Sequence, residues 1–174
     1  MKQGKGKRIL KTILIVLVAI VIIIQFFPPN RNLSEGVGKD DISTKYAVPA
    51  NVDSILKVTC LDCHSNNTRY PWYSNVQPVA WWLANHIQDG KRALNFSEFA
   101  AYPIRRQYNK LKAIGDEVRD GGMPLPSYTI IHKDAILDST HKQLVISWAD
   151  SIRAQIKATY PADSLKGKGN NNGR

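Results

Sequence analysis

The stretch Cys60-Leu61-Asp62-Cys63-His64 decides how the rest of the chain folds and what it binds. In a CxxCH run, two thiols separated by two residues can each form a thioether with one vinyl group of a porphyrin. The imidazole after the second thiol can then coordinate the iron from one side. If the segment is helical, both thiols lie on the same side of one turn. The sequence therefore predicts one covalent haem c, held by Cys60 and Cys63, with His64 as an iron ligand.

Other kinds of site can use the same pair of cysteines. A thioredoxin-like redox pair is expected in a βαβ setting, and no such alternation surrounds residues 60–63. A zinc site needs four ligands, and the chain has two cysteines, so two histidines would have to complete it. A structural disulfide across a two-residue loop is strained. Haem attachment is preferred, and thiol–disulfide chemistry without haem is an alternative.

The charge of the chain lies mainly at its ends. The 174 residues suit one compact domain with appendages. The formal net charge is +10, but residues 30–160 hold sixteen Lys and Arg against thirteen Asp and Glu, an excess of three. The basic excess therefore does not indicate nucleic-acid binding.

An uncharged apolar run follows the basic residues 1–11. Residues 12–27 read TILIVLVAIVIIIQFF. With Ile9, Leu10 and a Lys11 that extends its amine to the surface, the run approaches the thickness of a hydrocarbon core of about 30 Å. The run ends without a small-x-small cleavage site, which favours an uncleaved signal anchor. The sequence therefore predicts a single transmembrane helix over residues 12–28, with its basic end in the cytoplasm.

The predicted membrane anchor and the predicted haem c indicate the same cellular compartment for the domain. Bacteria attach haem c covalently on the outer face of the inner membrane, and an exported domain would place the CxxCH run there. We therefore expect a single-pass inner-membrane protein whose C-terminal domain lies in the periplasm. Polar residues 29–48 are expected to form a linker, residues 49–160 the haem-binding domain, and residues 161–174 a disordered tail.

Apolar residues at helical spacing recur through the exported part of the chain. Four segments show this spacing: residues 49–60, 78–90, 103–118 and 138–156. Gly90 and Gly121 are predicted to stop the second and third helices, and Asp138 or Ser139 to cap the last. Asn95 is expected to cap a short turn. The predicted fold class is all-α.

Met123 lies on a loop with the sequence GGMPLPS, where prolines restrict the backbone and glycines allow close approach to a flat ligand. A thioether is a soft ligand that raises the potential of haem iron opposite a histidine. Met123 is therefore the predicted sixth iron ligand. The alternative is a methionine that caps the core and leaves the iron five-coordinate or ligated by a second histidine. His86 and His132 are the histidines expected in that case, and His141 is the least favoured.

Three aromatic residues follow the CxxCH run in a polar loop. Tyr70, Trp72 and Tyr73 are expected either to pack on the macrocycle or to donate to a propionate. Packing in the protein core is the alternative.

Three stretches together resemble the haem-binding domain family, whose members contain CxxCH and are related to cytochromes c. They are residues 60–87 (CLDCHSNNTRYPWYSNVQPVAWWLANHI), 95–99 (NFSEF) and 121–135 (GGMPLPSYTIIHKDA). The resemblance implies a cytochrome c-like helical domain, with thioethers at Cys60 and Cys63 and His64 as the proximal ligand. It also implies that Met123 occupies the place of the distal methionine. The aromatic insert over residues 70–82 departs from the plain cytochrome c pattern.

The expected function is transfer of single electrons between membrane complexes and exported redox partners. No constellation of acid, base and nucleophile is visible, so an enzyme is not expected. The main alternative is a haem sensor or peroxidase-like protein, in which Met123 stays away from the iron and the distal side is open.

Overall fold

The computed structural model describes residues 3–166, and all regular secondary structure in this range is helical. Its α-helices are α1 (Gln3–Ile24), α2 (Ala50–Thr59), α3 (Leu61–His64), α4 (Val79–Ala93), α5 (Ile104–Asp120), α6 (Pro126–Thr129), α7 (Ser139–Thr159) and α8 (Ala162–Leu165). Short 3-10 turns join them at Ile42–Thr44, Trp72–Asn75, Phe96–Ala101 and Lys133–Ala135. The all-α fold class predicted from the sequence is confirmed.

The core lies where α5 and α7 pack against each other, and α2 packs on α7 beside it. The buried residues of α5 include Leu111, Ile114 and Val118. Those of α7 are Val145, Trp148, Ala149, Ile152 and Ile156. Both sets recur every three or four residues, so each helix turns one apolar face to the other. The stripes read from the sequence are therefore the ones that form the core.

Side chains and a glycine define helix ends where the sequence predicted them. The Asp138 carboxylate accepts a hydrogen bond from the backbone N–H of His141 at 2.7 Å and caps α7. The Asn95 side chain accepts one from the N–H of Ser97 at 3.1 Å and caps the turn Phe96–Ala101. Gly121 ends α5 with φ at 77°, in the left-handed region that glycine adopts without a Cβ clash.

Residues 29–48 do not form the free linker that their polar sequence predicted. Ile42 and Tyr46 are buried in the same core as α5 and α7. The Tyr46 hydroxyl donates a hydrogen bond to Gln107 Oε1 at 2.6 Å. The linker prediction was wrong because Ile42 and Tyr46, although four residues apart, lie in a mostly polar run whose spacing of apolar residues is not sustained. The folded domain therefore begins before residue 49.

Two predicted ends also differ from the structure. Helix α4 continues through Gly90 to Ala93, although Gly90 was predicted to stop it. The predicted disordered tail begins at residue 161, but α8 covers Ala162–Leu165 and the Leu165 side chain packs against the core. Residues 167–174 lie outside the described residues.

Helix α1 begins at Gln3 and includes basic residues that were predicted as a separate segment. Its large apolar side chains between Ile9 and Ile23 are exposed. Among the helices within residues 3–166, none has the combination of length and apolar character that crossing a membrane requires. The transmembrane helix predicted over residues 12–28 is therefore not supported.

Candidate functional site

The CxxCH residues lie at the junction of α2 and α3. Cys60 closes α2, because its backbone N–H donates to the carbonyl of Leu56 at 2.8 Å. The Cys60 carbonyl then accepts from the N–H of Cys63 at 3.2 Å and from the N–H of His64 at 3.0 Å, and these bonds form α3. One residue therefore ends one helix and starts the next. The two thiols and the imidazole are carried by a single helical turn, as the spacing predicted.

The His64 ring is held by backbone carbonyls of α4 and of the residue that follows it. Its Nδ1 lies 2.9 Å from the Gly90 carbonyl oxygen and 3.0 Å from the Leu94 carbonyl oxygen. A carbonyl oxygen can only accept, so Nδ1 carries the hydrogen and donates it. In the neutral ring, Nε2 is then unprotonated and presents its lone pair. This arrangement is common for histidines that ligate metals, where a hydrogen bond at one nitrogen orients the other toward the metal.

Gly90 permits this close contact between α4 and α3. A Cβ atom at position 90 would lie 2.6 Å from the carbonyl oxygen of Cys63 and 3.1 Å from its Cβ. Any larger residue would push the α4 backbone away from the CxxCH turn. Gly90 is therefore a requirement of the site and not a helix stop. A glycine in a helix interior usually has a packing reason, and that was the signal in the sequence.

Two adjoining cavities open beside the CxxCH turn, with volumes of about 340 and 200 Å³. Five residues line both of them: Thr59, Cys60, His64, Ala93 and Met123. The larger cavity is also lined by Cys63 and His86. The structure thus brings together the two thiols, the His64 imidazole and the Met123 thioether, although Met123 is distant from the others in sequence.

The loop after α5 carries Met123 to the cavities. Gly121 reverses the chain at the end of α5, and the backbone N–H of Met123 donates to the carbonyl of Glu117 at 3.2 Å. Pro124 and Leu125 continue along the wall of the larger cavity. This loop therefore forms a wall of the site, on which the only described thioether is placed.

The two alternative histidines lie in different places. His86 lines the larger cavity, and its Nδ1 lies 2.9 Å from the carbonyl of Trp82. Its Nε2 is therefore also available for a ligand. His132 does not line either cavity, and its Nε2 is hydrogen-bonded to the Tyr73 hydroxyl at 2.7 Å. His141 lines a different cavity, beside α2 and α7. Of these histidines, only His86 shares a cavity with the CxxCH turn.

The three aromatic residues of the loop do not line the cavities beside the CxxCH turn. The Tyr70 hydroxyl accepts a hydrogen bond from the N–H of Asn32 at 2.7 Å. Trp72 is 79% exposed, and Tyr73 is bonded to His132. The expectation that they pack on a macrocycle receives no support from these positions. The alternative of core packing does not describe them either, because none belongs to the apolar core.

Burial determines the acidity of both thiols. Burial raises the pKa of Cys60 to about 11, and a hydrogen bond with Thr59 offsets part of that effect. Burial also raises the pKa of Cys63 to about 11, and the neighbouring Asp62 charge adds to the shift. Thiol–disulfide enzymes instead lower the pKa of the attacking thiol, so that it is a thiolate at neutral pH. The two thiols of this chain resemble inert buried cysteines in this respect.

Comparison with known protein families gives a match over most of the chain. The model of the haem-binding domain family matches residues 19–151, which include the CxxCH turn, α4 and the Met123 loop. The chain belongs to the haem-binding domain family. No curated protein and no solved structure gives a significant match. The family identifies haem as the cofactor of this chain.

The residues of this haem-binding domain fit that cofactor. Imidazole and thioether side chains are the axial ligands that proteins use for haem iron in cytochromes c, and both line the cavities. The combined space is in the range of small-molecule and cofactor pockets. His64 already has the tautomer that metal coordination requires. His64, Met123 or His86 would therefore hold the iron, and Cys60 and Cys63 stand at the same wall.

Asp62 is a residue of the haem-binding domain that sequence reasoning missed. It is buried, and its carboxylate accepts from the backbone N–H, Nε and Nη2 of Arg69 at 3.1, 3.1 and 3.2 Å. The Tyr128 hydroxyl also donates to it, at 2.8 Å. Tyr128 is in α6 and lines the larger cavity. Asp62 therefore connects the CxxCH turn to the chain that follows Met123.

Tyr128 is the second residue that was missed. Burial raises the pKa of Tyr128, and its hydrogen bond to Asp62 raises it further, so the hydroxyl remains a donor. The ring stacks on His132 with a centroid distance of 4.3 Å and an interplanar angle of 16°. No local pattern distinguishes this tyrosine from Tyr70 or Tyr73. Its role follows only from a hydrogen bond across 66 residues of sequence.

Proposed function

We propose that the chain is a c-type cytochrome that binds one haem covalently through Cys60 and Cys63 and transfers single electrons. The observation that carries this proposal is the position of His64. Its Nδ1 donates to two backbone carbonyls, which leaves Nε2 to coordinate a metal, and His64 lines a cavity together with both thiols and the Met123 thioether. When bound, haem supplies the one-electron couple of its iron. Cys60 and Cys63 would hold the haem, and His64, whose ring is oriented by its Nδ1 hydrogen bonds, would coordinate the iron.

Met123 is proposed as the sixth ligand, and His86 is the competitor. Both line the larger cavity. Met123 also lines the smaller one, together with His64 and Cys60. Methionine opposite histidine raises the reduction potential of haem, whereas a second histidine does not. An iron that keeps six ligands in both oxidation states changes its coordination little on electron transfer, which suits an electron carrier. We therefore infer a cytochrome c-like domain with no enzymatic role.

We also propose that α1 attaches the chain to the bacterial inner membrane and that the domain lies in the periplasm. Within residues 3–166 nothing covers the exposed apolar side chains of α1, and its basic residues lie in its N-terminal half, as in helices with a cytoplasmic N-terminus. Residues 12–24 are uncharged and give only about 20 Å of helix. Ile9, Leu10, Phe26 and Phe27 would have to supply the remaining apolar length. Its partners would be redox proteins in or at the membrane.

The experiment is the full chain produced with haem-attachment machinery, followed by mass spectrometry under denaturing conditions. We expect the mass to increase by one haem, because thioethers survive denaturation. A protein of unmodified mass that has gained no haem would support thiol chemistry instead. Replacement of both Cys60 and Cys63 with Ser is the matched control, and it should abolish the covalent mass increase.

The sixth ligand is tested by visible spectra of Met123→Ala and His86→Ala in the oxidised and reduced states. We expect Met123→Ala to lose the weak long-wavelength band of methionine-ligated ferric haem, to bind carbon monoxide and to show a lower potential. His86→Ala should keep the parent spectrum. If His86 is the ligand, the parent should lack that band, and His86→Ala, not Met123→Ala, should open the iron to carbon monoxide. A parent protein that is high-spin and binds carbon monoxide would favour the sensor or peroxidase-like function.

A further inference from the structure

Helix α4 buries one apolar face, and further large apolar residues on it and just before it are exposed in the part of the chain that the structure describes. Its buried residues are Ala80, Leu83 and Ile87. Val79 at the edge of this buried set and Trp82 on the side away from it are exposed, and Val76 and Trp72 are exposed just before the helix. We call Trp72, Val76, Val79 and Trp82 the tryptophan face. Trp72 is 79% exposed and Trp82 46% exposed, which is unusual for the largest apolar side chain.

The end of α1 is bonded next to this face. Gln25 and Gln77 form two hydrogen bonds, from the N–H of Gln77 to Gln25 Oε1 at 2.9 Å and from Gln25 Nε2 to the Gln77 carbonyl at 3.3 Å. The carbonyl of Phe27 accepts from Trp81 Nε1 at 2.8 Å and from Gln77 Nε2 at 3.3 Å. Residues 77 and 81 lie between members of the tryptophan face in sequence. The end of the apolar run that begins in α1 is therefore held next to the segment that carries the tryptophan face.

We propose that the tryptophan face rests on the bilayer surface, at the boundary between headgroups and acyl chains. This inference rests on the proposed attachment of α1 to the membrane, and adds that the domain itself binds lipid in one orientation. A lipid occupant is favoured because the surface that lipid would cover on α1 continues into the face. Tryptophan is enriched at this depth, since its ring is apolar and its indole N–H is polar.

A cation lies beside the face, as a lipid surface requires. The Arg31 side chain is exposed, its guanidinium bonds to Asn75, and it lies 4.7 Å from the centre of the Tyr70 ring. Asn75 belongs to the same 3-10 turn as Trp72. A guanidinium in this position can bind a lipid phosphate while the apolar residues enter the acyl region. The combination of tryptophan, valine and arginine fits an anionic bilayer.

The orientation has a consequence for the haem site. The Trp82 ring packs on the His86 ring with a centroid distance of 4.1 Å, and His86 lines the larger cavity. A bilayer that touches Trp82 is therefore separated from the cavity wall by one side chain. The proposed orientation turns the haem cavity toward the membrane surface, where an electron donor or acceptor embedded in the membrane can reach it.

The test uses the full chain with haem in lipid nanodiscs, and its readout is tryptophan fluorescence. One set of discs contains ordinary lipid, and the other contains lipid brominated on the acyl chain close to the headgroup, which quenches on contact. Helix α1 contains no tryptophan, so bromine quenching reports tryptophans outside α1. Trp81, which bonds to the Phe27 carbonyl, remains in the double variant described below and reports the quenching that attachment of α1 alone would cause. Comparing the same protein in both lipids cancels quenching by haem.

We expect the parent chain to be quenched in brominated discs and the variant Trp72→Phe/Trp82→Phe to lose most of that quenching. Trp148→Phe is the matched control, because Trp148 is 5% exposed and donates its indole N–H to the Ala47 carbonyl inside the domain. That variant should lose emission without losing bromine quenching. The parent measurement does not depend on any variant folding correctly.

Two other outcomes are distinguishable. A parent chain that stays with the discs but is not quenched overturns the proposed orientation and leaves membrane attachment standing. If two copies are then found in each disc, the tryptophan face is an interface between chains. A chain that separates from the discs overturns both the attachment and the orientation.

Discussion

His64 and Gly90 form one contact although 26 residues separate them in sequence. The imidazole needs a carbonyl acceptor at Nδ1, and the α4 backbone can supply it only if it approaches closely. The missing side chain at position 90 allows that approach, because a Cβ would meet the Cys63 carbonyl at 2.6 Å. At the residue scale, the tautomer of His64 therefore depends on a glycine in another helix.

Gly90→Ala is expected to lower the free energy of unfolding by about 1–3 kcal/mol, because the added methyl group overpacks a backbone contact. Chemical denaturation of the apoprotein measures this effect. The shift of α4 should also remove the Nδ1 hydrogen bonds and lower the yield of protein with attached haem.

Gly115→Ala is the matched control, because it also lies inside a helix but a Cβ there meets only the end of the Arg119 side chain, at 4.0 Å. It should raise stability by about 0.5–1 kcal/mol, since alanine is favoured over glycine in helices. Equal effects of the two substitutions would contradict the close-contact explanation.

Helix α3 has four residues and would not form in isolation, because a single turn does not offset the cost of helix nucleation. It persists because Cys60 joins it to α2 and because α4 packs against it. Helix α7 shows the opposite situation, with 21 residues, a continuous apolar face and a side-chain cap. At the element scale, the CxxCH turn is therefore stabilised by its contacts with longer helices.

Asp138→Ala is expected to destabilise the domain by about 0.5–2 kcal/mol through loss of the α7 cap. Thermal or chemical unfolding measures the change. The sequence left Asp138 and Ser139 as equal candidates, and the structure gives the bond with the N–H of His141 to Asp138. Ser139→Ala and the conservative Asp138→Asn should both stay close to the parent. A larger loss of stability in Ser139→Ala than in Asp138→Ala would contradict the assignment of the cap to Asp138.

The core of the whole molecule includes side chains from the polar segment that precedes α2. Residues 29–48 are polar, yet Ile42 and Tyr46 are buried with residues of α5 and α7. The Asn32 side chain also donates to the Ser65 carbonyl at 2.8 Å, directly after the CxxCH turn. At the scale of the molecule, the segment that was predicted as a linker is therefore part of the folded domain and contacts both its core and the residue after the CxxCH turn.

Ile42→Ala is expected to cost about 2–5 kcal/mol of unfolding free energy, as is usual when a buried isoleucine is truncated. Val37→Ala, in the same segment but exposed, should change stability by no more than about 0.5 kcal/mol. Urea unfolding of both variants makes the comparison. Similar small effects at the two positions would restore the linker interpretation.

Much of the helical structure could be predicted because its signals are local. The stripes of α5 and α7, the caps at Asn95 and Asp138 and the stop at Gly121 depend on residues within a few positions of one another. Of the candidate site, Cys60, Cys63 and His64 were recognisable from their spacing alone. The neighbours of the loop aromatics could not be predicted, because an aromatic residue carries no local sign of which side chain it will meet.

The sequence by itself determined the helical class, the grouping of two thiols and an imidazole within five residues, and the family, since these depend on residue type and short spacing. Only the tertiary structure decided that Met123 and His86 share the cavity with His64 and that His132 does not. It also decided that Tyr128 joins Asp62 across 66 residues. The physical reason is that such pairings are selected by packing of the whole core, and no property of the separate segments specifies them.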